Sequence, residues 1–153
     1  LVRSAPEAAL RFDGTTTLYL WGAIALNLDS QGSQVALAQA LSHESGHALL
    51  FGLTLGGRMV ANPDEDRFAS PLRQDARPME GIVHAAFVLA RMHLSATAML
   101  DGGRLDAAQR AEAEAARDQA AADYRAALAV IRAHARFTEA GARAFALAED
   151  QMG

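Results

Sequence analysis

Residues 41–51, Leu41-Ser42-His43-Glu44-Ser45-Gly46-His47-Ala48-Leu49-Leu50-Phe51, carry an H-E-x-x-H pattern inside an apolar run, and that combination sets the reading of the whole chain. At 3.6 residues per turn, side chains four apart stack on one helix face, so His43 and His47 can offer ring nitrogens to one ion. Glu44 then stands beside the ion, where a carboxylate can orient or deprotonate a bound water. Val35, Leu37, Ala38, Leu41, Leu49, Leu50 and Phe51 make the predicted helix apolar on most sides, as a buried site helix is. With 5 His and 8 Glu in 153 residues, the pattern arises by chance in such a chain roughly once in a hundred. The plain alternative is a pair of core histidines satisfied by hydrogen bonds. It requires a buried partner for each of three polar side chains on one apolar helix.

Upstream of the motif, residues 12–28 are rich in β-forming types, Thr15, Thr16, Thr17, Tyr19 and Trp21 and then Ile24, Leu26 and Leu28, with Gly22 between them. Two short strands or one bent strand are predicted. Residues 29–33 supply a turn and an N-cap for the motif helix. A strand followed by an H-E-x-x-H helix is the order of zincin-like metal folds, in which a strand edge can pair with an extended peptide, so residues 23–28 are a candidate substrate edge. Downstream, Gly52, Gly56 and Gly57 are expected to end the helix and open a polar loop, Asn62-Pro63-Asp64-Glu65-Asp66, that runs to Pro71 and is a candidate functional loop.

Pro78 precedes a second strongly apolar helix, predicted over residues 79–100. On it Glu80, His84, Phe87 and Arg91 follow at spacings of four, three and four, along one stripe, while His93 points to the opposite side. Asp101-Gly102-Gly103 makes a break. Residues 106–137 read as one long alanine-rich helix whose first half is solvated or meets a partner, and whose second half packs through Tyr124, Leu128 and Ile131. Thr138 caps a last short helix that ends near Met152. The predicted fold is therefore mainly α with a small β element: a zincin-like metal-site helix, a second apolar helix and a long C-terminal helix, in one domain over residues 1–153.

Composition narrows the chemistry. The chain has no cysteine, so any metal must be held by histidine, carboxylate or water. A net charge of -4 without a basic run argues against nucleic acid as a partner. The most apolar stretch, residues 82–100, is interrupted by His84, Arg91 and His93, which argues against a membrane span, and the N-terminus has no basic-then-apolar secretion signal. The cytoplasm is the default expectation. All 14 basic residues are Arg and 36 residues are Ala, a bias expected of a GC-rich bacterial genome. Because residue 1 is Leu, the numbered chain is open to being a portion of a longer protein.

Open catalytic metal sites usually have three protein ligands. His84 is the favoured third ligand, 37 positions after His47 on the second apolar helix, where a surface histidine would be out of place. Glu80 is the rival, and choosing it gives the two-histidine, one-carboxylate face of non-haem Fe(II) oxygenases. Its ordinary role would be a carboxylate at a helix N-terminus.

These residues carry a resemblance. Residues 41–47 (LSHESGH), 70–78 (SPLRQDARP) and 81–87 (GIVHAAF) look like the H-E-x-x-H-type peptide-modifying family of bacterial natural-product clusters, whose helix L-V-H-E-x-x-H is followed by W-R-D-D-P-R-P and G-x-x-H-G. It covers roughly residues 16–100, with a weaker echo at 137–141. The chain departs from the family pattern at Leu72, Ala76 and Ala85, where the family has tryptophan, proline and glycine. The resemblance implies a 2-oxoglutarate- and Fe(II)-dependent β-hydroxylase of ribosomally made precursor peptides, with His43, His47 and His84 as iron ligands. It also implies that Arg73, Arg77 or Arg91 pairs bidentately with the 2-oxoglutarate carboxylate; singly, each arginine reads first as a partner in a surface or loop salt bridge.

Two other readings stand beside it. One is a zinc metallopeptidase with Glu44 as general base. It lacks a downstream glutamate at E-x-x-x-D spacing, and Leu53 sits where an extended H-E-x-x-H-x-x-G-x-x-H motif would place its third histidine. The other is a non-enzymatic metal-binding or partner module with the alanine-rich helix as its interaction surface, toward a second copy or a missing N-terminal domain.

Overall fold

The computed structural model describes residues 13–55, 57–70 and 72–152, so the expected strand start at Phe12, the breaker Gly56 and the loop end at Pro71 lie outside the described residues. As predicted, the chain is mainly helical with one small antiparallel sheet. β1 (Gly14–Thr16) pairs with β2 (Ile24–Leu26), Gly14 opposite Leu26 and Thr16 opposite Ile24. The β-rich stretch is thus two short strands joined by a 3-10 turn at Leu18–Leu20, whose cap is the Thr17 hydroxyl accepting from the Tyr19 amide.

Ser33 accepts the Ala36 amide and starts α1 (Gln34–Thr54), the motif helix. The expected stop at Gly52 does not occur: α1 runs through it and is turned by Leu55 in the left-handed region, φ 51°. Gly52 answers to a neighbour instead. A Cβ there would lie 2.8 Å from Cζ2 of Trp21, whose indole N–H donates to the Ala48 carbonyl at 2.8 Å. The missing side chain lets the indole lie across α1.

α2 (Met79–Asp101) begins after Pro78 and runs antiparallel to α1, packing Leu100 with Val35, Met92 with Gln39, Val88 against Gly46 and His84 against His47. It is the one helix among the described residues that is long and apolar enough, by length and composition, to cross a bilayer. Here it serves as the core helix, with Met79, Val83, Ala86, Phe87 and Ala90 fully buried against residues of α1, α3 and α4. The predicted stripe on α2 therefore splits: Phe87 turns into the core while His84 and Arg91 stay half-buried.

Asp106 and Gln109 form a reciprocal capping box that starts α3 (Ala107–His134). The first half of α3 is not simply solvated: Ala113 packs with Val35 and Leu100, and Ala120 enters the main core with Tyr124, Ala127 and Ile131. Alanine is small enough to bring α3 close to the α1–α2 pair. The helix ends before the predicted Phe137 because Ala135 turns extended and Phe137 forms a β-bridge with Val60. Thr138 accepts the Gly141 amide and starts α4 (Glu139–Gln151), which adds Ala144, Phe145 and Ala148 to the core.

The loop over residues 58–78 is a lock on the bundle. Arg58 donates to the carbonyls of Val60 and Asn62 and bidentately to Asp64 at 2.8 and 3.0 Å. Asn62, 5 % exposed, donates to the His134 carbonyl and accepts the Arg136 amide, which ties the loop to the end of α3. Within the predicted polar loop, Asn62 satisfies backbone groups of the chain it crosses, and Asp64 holds the Arg58 side chain that bonds the loop's own carbonyls.

Candidate metal centre

The i, i+4 spacing on α1 brings the His43 and His47 rings to 5.0 Å between centroids, edge to face. α2 delivers His84 with its ring 6.4 Å from His47 and 6.5 Å from Phe51. Imidazoles sharing one ion at tetrahedral or facial octahedral angles have centroids roughly 4.6–5.3 Å apart, from a metal–nitrogen bond of about 2.1 Å plus the ring radius on each side. The His43–His47 pair falls in that range, and the His47–His84 pair, at 6.4 Å, is wider than it. As the side chains stand, among the described residues no three His, Asp or Glu groups close into a complete ligand set. The donor chemistry does fit a borderline divalent ion: three imidazoles from two packed helices.

Burial lowers the pKa of His47 to about 4, with the neighbouring His43 and His84 adding to the effect. Burial also lowers His43, although its outer edge reaches solvent. At neutral pH both rings are uncharged and keep a lone pair to give. His47 also couples stability to acid. Its folded pKa lies below the ordinary 6.5, so the unfolded chain takes up the proton first, and stability present above pH 6.5 is lost as pH falls toward 4. Metal-free protein should lose on the order of 2–3 kcal/mol from this residue over that window. Urea melts at pH 7 and pH 4.5 check it, with His47→Gln predicted to lack that share of the loss.

Glu80 is committed elsewhere. Its Oε1 accepts the Met59 amide at 2.8 Å and contacts His84 Nε2 at 3.1 Å, while Oε2 accepts the Val60 amide at 3.1 Å. Burial pushes the carboxyl up, but these bonds from His84, Met59 and Val60 together hold it below its ordinary pKa. It is therefore a poor third ligand. It is the group that orients His84 and anchors the loop at residues 59–60, as carboxylates behind ligating histidines do.

Glu44 is 7 % exposed and packs against β1, so close that a Cβ on Gly14 would lie 2.9 Å from its Cγ. The bond from the Asn27 amide to the Asp13 carbonyl makes residues 13 and 27 a hydrogen-bonded pair, so by alternation Gly14 and Thr16 turn their backbone groups to the outer edge of β1. There the Thr16 backbone bonds to the Glu44 carboxylate; burial raises the Glu44 pKa and this bond opposes the rise. The strand beside the motif glutamate is thus β1. Residues 23–28, the expected substrate edge, carry β2, the other edge of the two-stranded sheet.

Two openings reach the centre. A cleft of about 450 Å³ is lined by Asp13, Gly14, Gln31, Gln39, His43 and Glu44 among others. A smaller hollow of about 250 Å³ is lined by Leu18, Phe51, Arg58, Glu80 and His84 among others. None of the three arginines singled out in the sequence lines either one. Arg73 and Arg77 bracket Asp75, at 3.5 and 2.9 Å, and the Arg77 backbone exchanges two 2.9 Å hydrogen bonds with Phe68. Arg91 lines a separate groove on the other flank of α1, with Ser42, Ser45 and Ser95. The arginine that lines the hollow with His84 is instead Arg58, and four of its five N–H donors are already used. Its only sequence signal is an arginine between a glycine pair and an acidic loop.

Neither a scan against protein-family models nor a search of the curated proteins finds a match to this chain.

Proposed function

We propose that this domain is a 2-oxoglutarate- and Fe(II)-dependent oxygenase that hydroxylates the β-carbon of a residue in a ribosomally made precursor peptide, acting in the cytoplasm. The observation that carries the metal assignment is the meeting of His43 and His47 on α1 with His84 on α2, while the rival Glu80 is occupied by two backbone amides. The three sequence blocks at residues 41–47, 70–78 and 81–87 favour oxidation over hydrolysis. His43, His47 and His84 would hold the iron. With Fe(II), 2-oxoglutarate and O2 bound, the centre would supply an oxidant that converts a substrate C–H to C–OH, the keto acid leaving as succinate and CO2.

The protein's own groups prepare for that chemistry. Glu80 fixes the His84 ring from behind. Phe51 and Leu18 give the His84 side an apolar wall that limits water. Glu44 lines the cleft next to His43, held by β1, where its carboxylate can accept a hydrogen bond from an incoming amide. The binding arginine for the keto acid is drawn from Arg73, Arg77 and Arg91, and each would have to leave its present surroundings.

The position of Glu44 also supports the second reading, a zinc peptidase in which this carboxylate takes a proton from water. One experiment separates the two. Purified protein is loaded anaerobically with Fe(II) and then with 2-oxoglutarate. The oxygenase gives the visible charge-transfer band of a chelated keto acid, lost in His84→Ala and kept in His93→Ala. No band, together with tight Zn(II) binding and casein cleavage that disappears in Glu44→Gln, would establish the peptidase in its place.

A further inference from the structure

Gln39 stands one helical turn before His43 and two before His47, so the three side chains share one face of α1. It is 7 % exposed. Its amide nitrogen donates to the Met92 carbonyl at 3.4 Å, while its Oε1 is buried and, among the described residues, accepts no hydrogen bond. The Met92 contact fixes the orientation of the amide, since turning it over would set two oxygens against each other. A buried carbonyl without a donor is a standing cost to the fold, and native proteins keep few of them.

Gln39 is also where two cavities meet. The cleft that reaches His43 and Glu44 ends on Gln39 and Met92. The same two residues open a second pocket of about 290 Å³ between α1, α2 and α3, walled by Val35, Ala36, Leu89, Ala116 and Ala120, with Glu112, Gln119 and Asp123 also in its lining. Gln39, whose buried oxygen is orphaned, therefore sits at the threshold between the candidate metal centre and a mainly apolar pocket.

We propose that this pocket is a specificity subsite that takes a branched aliphatic side chain of the peptide substrate, and that the backbone N–H of that residue donates to Gln39 Oε1. The proposal rests on the peptide reading above. The walls select an apolar side chain, and the missing donor selects a group that every peptide residue carries beside its side chain. A polar side chain making the same bond would leave its own stem facing the pocket mouth and the apolar walls unfilled. Spacing sets the register. One helical turn from His43 to Gln39 is about 6 Å along α1, which an extended peptide covers in about two residues. The anchoring residue thus lies about two positions from the one presented at the centre.

The test uses metal-free protein, so it does not depend on the chemistry of the centre. N-acetylated, C-amidated Ala-Leu-Ala, Ala-Lys-Ala and Ala-Asp-Ala are titrated while the Gln39 side-chain amide and the methyls of Ala36, Ala116 and Ala120 are followed by NMR. The leucine peptide should shift these signals saturably and bind at least five-fold more tightly than the other two. Gln39→Leu should weaken that binding ten-fold or more and leave the thermal midpoint equal or higher, because it removes an unsatisfied oxygen. Ala116→Leu, which fills the pocket from α3, should also abolish binding. Absence of saturable shifts with the leucine peptide, equal binding of the lysine peptide, or a Gln39→Leu variant with a lowered midpoint and unchanged binding would each overturn the subsite. A missing iron–keto acid band would sink the oxygenase reading and leave these shifts untouched, so the two failures are distinguishable.

Discussion

Replacing His47 with alanine should abolish the Fe(II)–keto acid band and metal-dependent succinate release, with Fe(II) affinity falling on the order of 100-fold or more. His47 is the middle of the cluster, 5.0 Å from His43 and 6.4 Å from His84 between ring centroids, and it stands between the proposed ligand from α2 and the other proposed ligand on α1. Without it, the two remaining histidines have no ring between them, and two imidazoles alone hold a catalytic ion weakly. The variant should fold at neutral pH, where the native ring is already uncharged. His93→Ala is the matched control. His93 is on α2 as well, but Arg117, Asp118 and Arg125 of α3 are the charges that act on it, so it faces the other way. Anaerobic titration followed by a succinate assay reads both variants. Wild-type affinity and turnover in His47→Ala would remove the centre from α1.

The second large effect is on folding. Gly141→Ala should destabilise the protein by about 3 kcal/mol or more, because a Cβ there would lie 1.9 Å from the Met59 carbonyl oxygen and 2.6 Å from its carbonyl carbon. Those are backbone atoms, and they cannot swing aside as a side-chain tip can. The close approach is built from both sides: the Thr138 amide donates to the Met59 carbonyl at 2.9 Å, and the Thr138 hydroxyl donates to the Arg58 carbonyl at the same distance. Relief requires α4 or the loop at residue 59 to move. Movement of that loop would also pull the Met59 and Val60 amides off Glu80, and so disturb the carboxylate that orients His84. The comparison is Gly81→Ala in the first turn of α2, where a Cβ meets nothing within 4 Å. Alanine there should be neutral or stabilising by up to about 1 kcal/mol, from helix propensity alone. Thermal and urea unfolding of the pair separate close approach from helix propensity, and a Gly141→Ala variant as stable as wild type would show that α4 is not docked through this contact.

The positions at which sequence expectation and structure part have a common cause. Gly52 is expected to stop α1, yet it accommodates Trp21, which is 31 residues earlier in the chain. The alanines in the first half of α3 look solvent-directed, yet Ala113 and Ala120 are the close-packing points against α1 and α2. Glu80 reads as a dipole-stabilised carboxylate or a ligand, yet it holds amides 20 and 21 residues away. In each case the deciding contact is remote in sequence, and composition at a single position carries no trace of it.

Local chemistry alone determined the helix order, the caps at Ser33, Asp106 and Thr138, the apolar helix that became the core, and the i, i+4 histidine pair, because helical periodicity, capping and burial act over a few residues. Only the tertiary structure decided that His84 meets His47 across two helices, that β1 holds Glu44, and that Arg58, rather than Arg73, Arg77 or Arg91, lines the hollow with His84. It likewise left the Gln39 oxygen unpaired between two cavities. These outcomes depend on how antiparallel helices and a crossing loop register against one another. That register is set by close approach and by satisfaction of buried polar groups over long separations, which no local pattern encodes.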